Sequence, residues 1–177
     1  DILSEKDVRI ALQHATNKQN ISDGIFYGLE KPADTLFAST VPYCDIELEP
    51  YVYDLELAGQ ILDEAGWKMG SGNVREKDGQ PLNIDLLYNS DSVTEKSIAE
   101  YLQSEYQSIG VSLNIHGEEE QSYRDNMKAG NFDMVFNICW GTPYDPQSSL
   151  AAMRAPVYGD YAAQLGLDDK AEIDDAI

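Results

Sequence analysis

Residues 140–146 (WGTPYDP) place two large aromatic side chains close together in an irregular stretch of the chain. Trp140 and Tyr144 offer flat apolar faces with a polar tip, and the glycine and proline between them restrict the backbone. Such rings can form the wall of a ligand pocket. They can also pack in the interior, with Trp140 at the end of a buried strand and Tyr144 under the loop. The residues alone leave both interpretations open.

A second candidate is the acidic run at residues 118–120, which lies beside His116. Carboxylates and imidazole are metal ligands, so the group could hold a metal ion. The run also precedes a predicted helix, whose positive amino terminus attracts carboxylates, and a solvated acidic turn is the alternative interpretation. His116 follows Ser112 and Asn114 on the polar face of a predicted strand, which indicates a partly exposed side chain rather than a ligand.

Motifs of enzymes are missing from the sequence. No Gly-rich phosphate loop follows a predicted strand, no G-x-S-x-G elbow occurs, and neither His14 nor His116 has a neighbouring Ser or Cys in a known motif. Cys44 and Cys139 lie 95 residues apart, which fits neither a disulfide framework nor a C-x-x-C motif. An α/β hydrolase-like enzyme whose residues converge only in space is therefore an alternative that no motif supports.

The charge of the chain excludes several classes of partner. Twelve Lys and Arg stand against 32 Asp and Glu, a formal net charge of −20. Such a surface repels phosphate backbones and anionic lipid head groups, so nucleic acid and membrane surfaces are not expected as partners. No apolar run approaches the roughly 20 residues of a transmembrane segment. The chain begins at Asp1 without Met and without a signal sequence, which indicates a processed product or an excised piece.

Helix signals dominate the first part of the chain. Three N-terminal capping signals each precede apolar residues at helical spacing: a capping box at residues 4–7, and the single residues Asn17 and Asp54. Residues 32–53 are irregular, and a loop of that length usually wraps or lines a site.

Strand and helix signals alternate in the middle of the chain. Strands are predicted over 82–86 and 111–115, and a third, apolar on both faces like a central strand, over 132–140. A helix from the capping box at 92–95 separates the first two strands, and a shorter helix that opens at Ser122 separates the last two. Right-handed crossovers make the three strands parallel, which predicts a βαβαβ core in an α/β fold.

Shorter elements are predicted on either side of this core. Residues 68–81 contain the turn pair Asp78-Gly79 and predict a surface loop that leads into a hairpin. Beyond residue 141 we expect a loop, a helix near 148–154, another loop and an acidic helix from about Asp168.

The carboxyl ends of parallel strands meet at one edge of a sheet, where ligands bind in open α/β folds. Residues 88–91, 116–120 and 140–146 follow the three predicted strands. The sequence therefore predicts that these segments share that edge.

Two segments in the first part of the chain resemble a known family. Residues 8–21 (VRIALQHATNKQNI) and residues 53–67 (YDLELAGQILDEAGW) are similar to motifs of family 5 extracytoplasmic solute-binding proteins, the peptide- and nickel-binding components of ABC importers. Residues 75–82, 117–120 and 140–146 resemble the nickel-binding branch more than the oligopeptide branch. Further likeness to that branch is found at residues 160–161 and 164–167.

The resemblance implies one lobe of a two-lobed binding protein of the type II periplasmic fold. Residues 1–177 would form a single α/β lobe, and family members are longer, so a second lobe and the hinge are expected outside it. Within the lobe, residues 1–67 would form a helical and long-loop part, residues 82–140 the βαβαβ core, and residues 141–177 a part with loops and helices.

The resemblance also implies site residues. The nickel branch holds its metal mainly through a small organic chelator, gripped by Arg and aromatic residues, with one protein His. Trp140 and Tyr144 match pocket aromatics of the branch, and Tyr123 lies near a third, or Arg124 if the register differs by one. The position of the branch's metal-binding His is Tyr158, whose neutral phenol is a far poorer nickel ligand than imidazole. His116 could replace it only if it reached the same cleft.

These motifs imply an extracytoplasmic receptor that captures nickel or a metal–chelate complex and delivers it to an ABC permease. A dipeptide or oligopeptide receptor of the same family is the nearest alternative. A structural or interaction module is a further one, and it would bury Trp140 and Tyr144 with no cavity beside them. No resident cofactor is expected, since the metal would be cargo.

Overall fold

Helices and short strands alternate along the chain in this computed structural model, which describes residues 2–138 and 147–177. The helices are α1 (Lys6–His14), α2 (Lys18–Ile25), α3 (Leu55–Glu64), α4 (Val93–Ser108), α5 (Glu120–Ala129), α6 (Gln147–Ala152), α7 (Gly159–Ala162) and α8 (Lys170–Ala176). The strands are β1 (Lys68–Met69), β2 (Arg75–Lys77), β3 (Gln80–Pro81), β4 (Asn83–Asn89), β5 (Ser112–Glu118) and β6 (Met134–Val135).

The main sheet has the order β5-β4-β6, and both neighbours run parallel to β4. Helix α4 connects β4 to β5, and α5 connects β5 to β6. This confirms the predicted βαβαβ core and the α/β class.

The third strand differs from the prediction. It pairs with β4 only at Met134 and Val135, at the edge of the three strands rather than in the centre, and Ile138 is 66% exposed. The central strand is β4, where the consecutive residues Leu86 and Leu87 are both buried, one on each face of the sheet. An apolar run predicts burial, but it does not say which strand has neighbours on both sides.

The hydrophobic core lies between β4, β5 and the helices α1, α3 and α4. Its largest fully buried side chains are Trp67, Leu62, Leu82, Ile84, Leu86, Val8 and Val111. Core residues on the helices recur at helical spacing, as do Val8, Ala11 and Leu12 on α1. The sheet is therefore fixed from one side by three helices.

Three of the predicted helix starts are confirmed. The side chains of Asn17, Asp54 and Ser92 accept hydrogen bonds from the backbone N–H groups of Asn20, Leu57 and Glu95, at 2.9, 2.9 and 3.2 Å. Each bond satisfies one N–H that the first turn of a helix leaves without a partner.

The predicted capping box at the start of α1 is wrong. The N-cap residue is Glu5, whose side chain makes no cap hydrogen bond, because a 3-10 turn over Ile2–Ser4 comes before it. Its carboxylate instead accepts hydrogen bonds from Lys77 Nζ at 2.9 Å and Trp67 Nε1 at 3.3 Å. These contacts join the start of the chain to the hairpin region.

The hairpin region is more ordered than predicted. Strands β1, β2 and β3 form a small antiparallel sheet, and β1 lies where only a loop was expected. Asp78 and Gly79, with φ of 53° and 80°, make the expected turn, since a tight hairpin turn of this kind needs positive φ at both positions.

The remaining segments agree with the sequence except at a few places. Helix α5 begins two residues before the predicted Ser122, α6 and α8 lie near their predicted positions, and α7 was not predicted. Residues 32–53 contain no helix or strand, as expected. The loop and the residues just before it expose many large apolar side chains, namely those of Tyr27, Leu29, Leu36, Tyr43, Ile46, Leu48, Tyr51 and Val52. None of the described helices combines the length and the hydropathy needed to cross a membrane.

Candidate functional site

The carboxyl ends of β4 and β5 meet at one edge of the sheet. Asn89 and Glu118 are paired in the register, and the backbone N–H of Ser90 donates to the Glu118 carbonyl at 2.8 Å. Two of the three segments that were expected to share this edge therefore do so. The third, residues 140–146, lies outside the described residues, and with it the predicted site residues Trp140 and Tyr144.

Asn89 is the centre of a hydrogen-bond network at this edge. Its backbone N–H donates to the carboxylate of Glu95 on α4 at 2.8 Å, and its side-chain amide donates to the carboxylate of Glu120 on α5. The other oxygen of Glu120 accepts from Arg124 Nε. Asn89 thus joins the end of β4 to the first turns of two helices, to α4 through its backbone and to α5 through its side chain.

Sequence reasoning missed this network. The capping box predicts that the Glu95 carboxylate reaches back to the N–H of Ser92. In the structure that N–H already donates to the Asn89 carbonyl at 2.9 Å, so the carboxylate pairs with the N–H of Asn89 instead. The one sequence signal for this network is the position of Asn89, between a strand and a capping box.

The acidic run at residues 118–120 connects the end of β5 to the first residue of α5, which agrees with the interpretation as an acidic turn. Glu118 Oε2 accepts from Asn126 Nδ2 at 2.7 Å and from the hydroxyl of Ser122, while Glu119 is the N-cap residue. The carboxylates lie where the helix dipole favours negative charge. Within residues 2–138 and 147–177, no group of three His, Cys, Asp or Glu side chains is placed to hold a metal ion.

Tyr123 lies at the carboxyl end of β6. Its ring is buried, with 7% exposure, and its hydroxyl donates to the carbonyl of Phe136, the residue directly after the strand. Burial raises the pKa of the phenol well above its ordinary value, and the negative charges of Glu95 and Glu120 raise it further. The group is therefore a neutral hydrogen-bond donor at physiological pH.

Tyr158 lies beside the same strand end and is 51% exposed. The next residue, Gly159, is buried against Met127, where an added Cβ would come within 2.4 Å of the methionine Cγ. Met127 is one helical turn beyond Tyr123 on α5. Asp160, the residue after Gly159, accepts a hydrogen bond from the side chain of Asn137 at 3.0 Å. Only a glycine permits this close approach, which places α7 and Tyr158 at the edge.

Arg124 and His116 do not join this group. The Arg124 side chain is exposed and forms an ion pair with Glu120 within its own helix. His116 is also exposed, on the face of the sheet, where its Nε2 lies 3.2 Å from Asp85 Oδ1. Hydrogen bonds from Asn114 and from His116 lower the pKa of Asp85. The described part of the edge therefore combines two phenols with hydrogen-bonded carboxylates.

Comparison with known proteins gives a family match over most of the chain. The sequence model described as "Bacterial extracellular solute-binding proteins, family 5 Middle" matches residues 1–160. A crystal structure of NikA from Brucella suis in complex with Fe(III)-EDTA superposes with a TM-score of 0.89 at 46% identity, over 99% of this chain and 34% of that one.

Two curated relatives differ in how similar they are. The nickel-binding periplasmic protein of Escherichia coli (strain K12) is 43% identical over 175 residues, which is 98% of this chain and 33% of that protein. The oligopeptide-binding protein OppA of Lactococcus lactis subsp. cremoris (strain SK11) is 27% identical over 186 residues, 98% of this chain and 31% of that protein. The chain thus spans about a third of the length of these relatives.

Proposed function

We propose that this chain, which belongs to family 5 of the bacterial extracellular solute-binding proteins, is one lobe of an ABC importer's solute receptor and helps to capture nickel or a metal–chelate complex. In this proposal residues 1–177 form a single α/β lobe, and a second lobe supplies the other half of the pocket. The receptor acts outside the cytoplasm and delivers its ligand to a membrane permease.

One observation carries the choice of ligand. Identity is 43% to a nickel-binding protein and 46% to a protein crystallised with Fe(III)-EDTA, against 27% to an oligopeptide-binding protein over the same share of this chain. Peptide binding is kept as the second candidate because the match to the oligopeptide-binding protein also covers 98% of the chain.

The ligand site in this proposal is the carboxyl edge of the sheet. Trp140 and Tyr144 follow β6 and would form the aromatic wall, and Tyr158 lies half-exposed beside the same strand end. Tyr123 would act indirectly, since its hydroxyl holds the Phe136 carbonyl at the end of β6, and Arg124 is the alternative contact on α5.

The chemistry of these side chains favours a metal that arrives with its own chelator. Phenol and indole are poor ligands for nickel, whereas they pack well against the carbon skeleton of an organic chelator and can donate hydrogen bonds to its carboxylates. Tyr158, at the position where the nickel branch carries a His, would act in this way and not as a metal ligand.

Calorimetry on the complete two-lobed protein tests the proposal. Titration with a nickel–histidine complex is compared with nickel ion alone and with a mixture of dipeptides. We expect saturable heat with the complex, little with the bare ion and none with the dipeptides. Heat with the dipeptides only would replace the nickel proposal by the peptide alternative.

A pair of tyrosine variants tests the site. Tyr158→Ala should weaken binding of the nickel–histidine complex about tenfold or more, because an aromatic contact with the chelator is lost. Tyr27→Ala, at an exposed tyrosine on another part of the chain, is the matched control and should leave the affinity unchanged. Equal affinities in the two variants would remove Tyr158 from the site.

A further inference from the structure

Arg75 is a buried cation at the opposite end of the sheet from the proposed ligand site. The residue is only 6% exposed, and its backbone N–H donates to the Gly110 carbonyl, two residues before β5 begins. Lys and Arg are rarely buried to this degree unless their charge is paired. The partners of this guanidinium therefore decide what it can do.

Only part of the guanidinium is occupied. Nε donates to the Ile109 carbonyl at 2.7 Å, and Nη1 donates to the Trp67 carbonyl at 2.7 Å and to Asp63 Oδ1 at 2.9 Å. Among the described residues, Nη2 has no hydrogen-bond partner. Nη2 is not among the buried polar atoms that lack a partner, so its N–H groups reach solvent and can donate to water or to a ligand oxygen that replaces it.

Nη2 faces an open cleft of about 380 Å³ between α3, the β1–β2 hairpin and the end of α4. Gly59 keeps this side open, since an added Cβ would lie 3.3 Å from Nη2. A glycine inside a helix costs roughly 1 kcal/mol relative to alanine, so its place in α3 is consistent with a need for space. The cleft is lined by Leu55, Glu56, Gly59, Gln60, Asp63, Met69, Arg75, Ser108 and Ile109.

The lining matches an uncharged amide better than an anion. Asp63 already balances the charge of Arg75, Glu56 lies in the same wall, and the chain carries a net charge of −20, all of which oppose a second carboxylate. Oxygens of Glu56 and Gln60 can accept an N–H, while Nη2 can donate to a C=O. Apolar side chains, such as Met69, lie beside them.

We propose that this cleft is a second binding site, for a small uncharged solute that carries a peptide-type amide next to an apolar side chain. The amide oxygen accepts from Arg75 Nη2, the amide N–H donates to the Glu56–Gln60 side, and the apolar group packs on Leu55 and Met69. The site is separate from the carboxyl edge, so it does not depend on the ligand proposed there.

The test follows the resonance of the Arg75 Nε–H group in heteronuclear NMR spectra of the full chain, where its bond to Ile109 protects it from exchange. The probe is N-acetyl-leucine amide. Two analogues change one feature each: N-acetyl-leucine has a carboxylate at one end, and N-acetyl-glycine amide lacks the apolar side chain. We expect a saturable shift with the probe and at least about fivefold weaker binding of either analogue.

A matched pair of glycine variants locates the site. Gly59→Leu fills the cleft from within α3 and should weaken binding of the probe about tenfold or more. Gly24→Leu makes the same change in α2, where an added Cβ meets no atom within 4 Å, and should leave probe binding unchanged. The dispersion of each variant's spectrum shows that it is folded.

Three outcomes would overturn the proposal. One is the absence of a saturable shift up to the solubility of the probe. Another is binding of N-acetyl-leucine as tightly as the amide, which would make the cleft an anion site. The third is equal weakening by Gly59→Leu and Gly24→Leu.

Discussion

The two ends of the central sheet are held together by different chemistry. At the amino end, the buried cation Arg75 joins α3, the segment after it and the end of α4 through Asp63 and two backbone carbonyls. At the carboxyl end, the neutral side chain of Asn89 joins β4 to α5, while its backbone N–H binds Glu95 on α4. The charged centre is almost fully buried, with one side of its guanidinium at the cleft, and the neutral one lies among carboxylates that are partly exposed.

This difference affects what each end can tolerate. A buried charge must keep its partners, since removing one leaves the others unpaired in a medium of low dielectric constant. Hydrogen bonds near solvent can be exchanged for bonds to water at little cost. The amino end should therefore concentrate its stabilisation in one side chain, while the carboxyl end can present groups to a ligand without losing the fold.

Replacement of Arg75 should have the largest effect on stability. Arg75→Met keeps much of the side-chain length but leaves the carbonyls of Trp67 and Ile109 and the Asp63 carboxylate without their donor. We expect a loss of about 2–4 kcal/mol in the free energy of unfolding, measured by urea denaturation.

The neighbouring Lys68 provides the control for this variant. Its Nζ lies 3.6 Å from the same Asp63 oxygen, but the side chain is exposed. Lys68→Met should therefore change the free energy of unfolding by less than about 0.5 kcal/mol. Comparable losses in the two variants would show that burial is not what makes the amino end depend on Arg75.

At the carboxyl end, Tyr123→Phe should have a smaller effect. The variant removes the hydrogen bond to the Phe136 carbonyl while it keeps the buried ring, so the expected loss is about 1–2 kcal/mol in the same assay. Tyr158→Phe, at the half-exposed tyrosine nearby, should be neutral within about 0.5 kcal/mol. A larger loss of stability in Tyr158→Phe than in Tyr123→Phe would show that Tyr158, and not Tyr123, supports the fold at this end.

The elements of the core could be predicted from the sequence because their signals are local. The spacing of apolar residues indicated α1, α3, α4 and the strands β4 and β5, and capping side chains fixed three helix starts. Strand order could not be obtained in this way. The third strand is as apolar as a central one, but its place is set by how the crossovers pack, which no local pattern records.

The site was harder to predict than the fold. The segment that carries Tyr158 lies against α5, the helix of Tyr123, because Gly159 packs against Met127, a contact between positions 32 residues apart. The Asn89 network and the open side of Arg75 also depend on which backbone groups other bonds have already used. Residue types suggested which side chains could bind, but only the packing decides which of them keep a free polar group.

The pH dependence of two phenols distinguishes the ends more finely. Near the amino end, the hydrogen bond to the Glu105 carboxylate raises the pKa of Tyr53 to about 12. At Tyr123 burial is the largest cause. A raised phenol pKa means that the stabilisation is complete below the ordinary value near 10 and is lost as the pH rises through the folded value.

Carboxamide variants of the two neighbouring acids test these causes. Glu105→Gln should bring the pKa of Tyr53 back towards its ordinary value, whereas Glu95→Gln should leave most of the rise at Tyr123 in place. NMR of ring-labelled tyrosine between pH 8 and 12 follows both groups, and Tyr123 should stay protonated over this range in the parent chain. In Tyr53→Phe, the free energy of unfolding should fall less steeply between about pH 10 and 12 than in the parent chain. If the pKa of Tyr123 returned to its ordinary value in Glu95→Gln, burial could not be the main cause of its rise.

Only a small change in stability is expected at Arg124. Its ion pair with Glu120 is exposed and lies within one helix, so Arg124→Ala should cost no more than about 0.5 kcal/mol. Because the fold hardly depends on Arg124, any large effect of this variant on ligand affinity reports a direct contact. Calorimetry with the nickel–histidine complex on the two-lobed protein then decides between the two residues of α5. A tenfold loss of affinity in Arg124→Ala, with none in Tyr123→Phe, would assign the ligand contact to the arginine and leave the buried tyrosine a structural role.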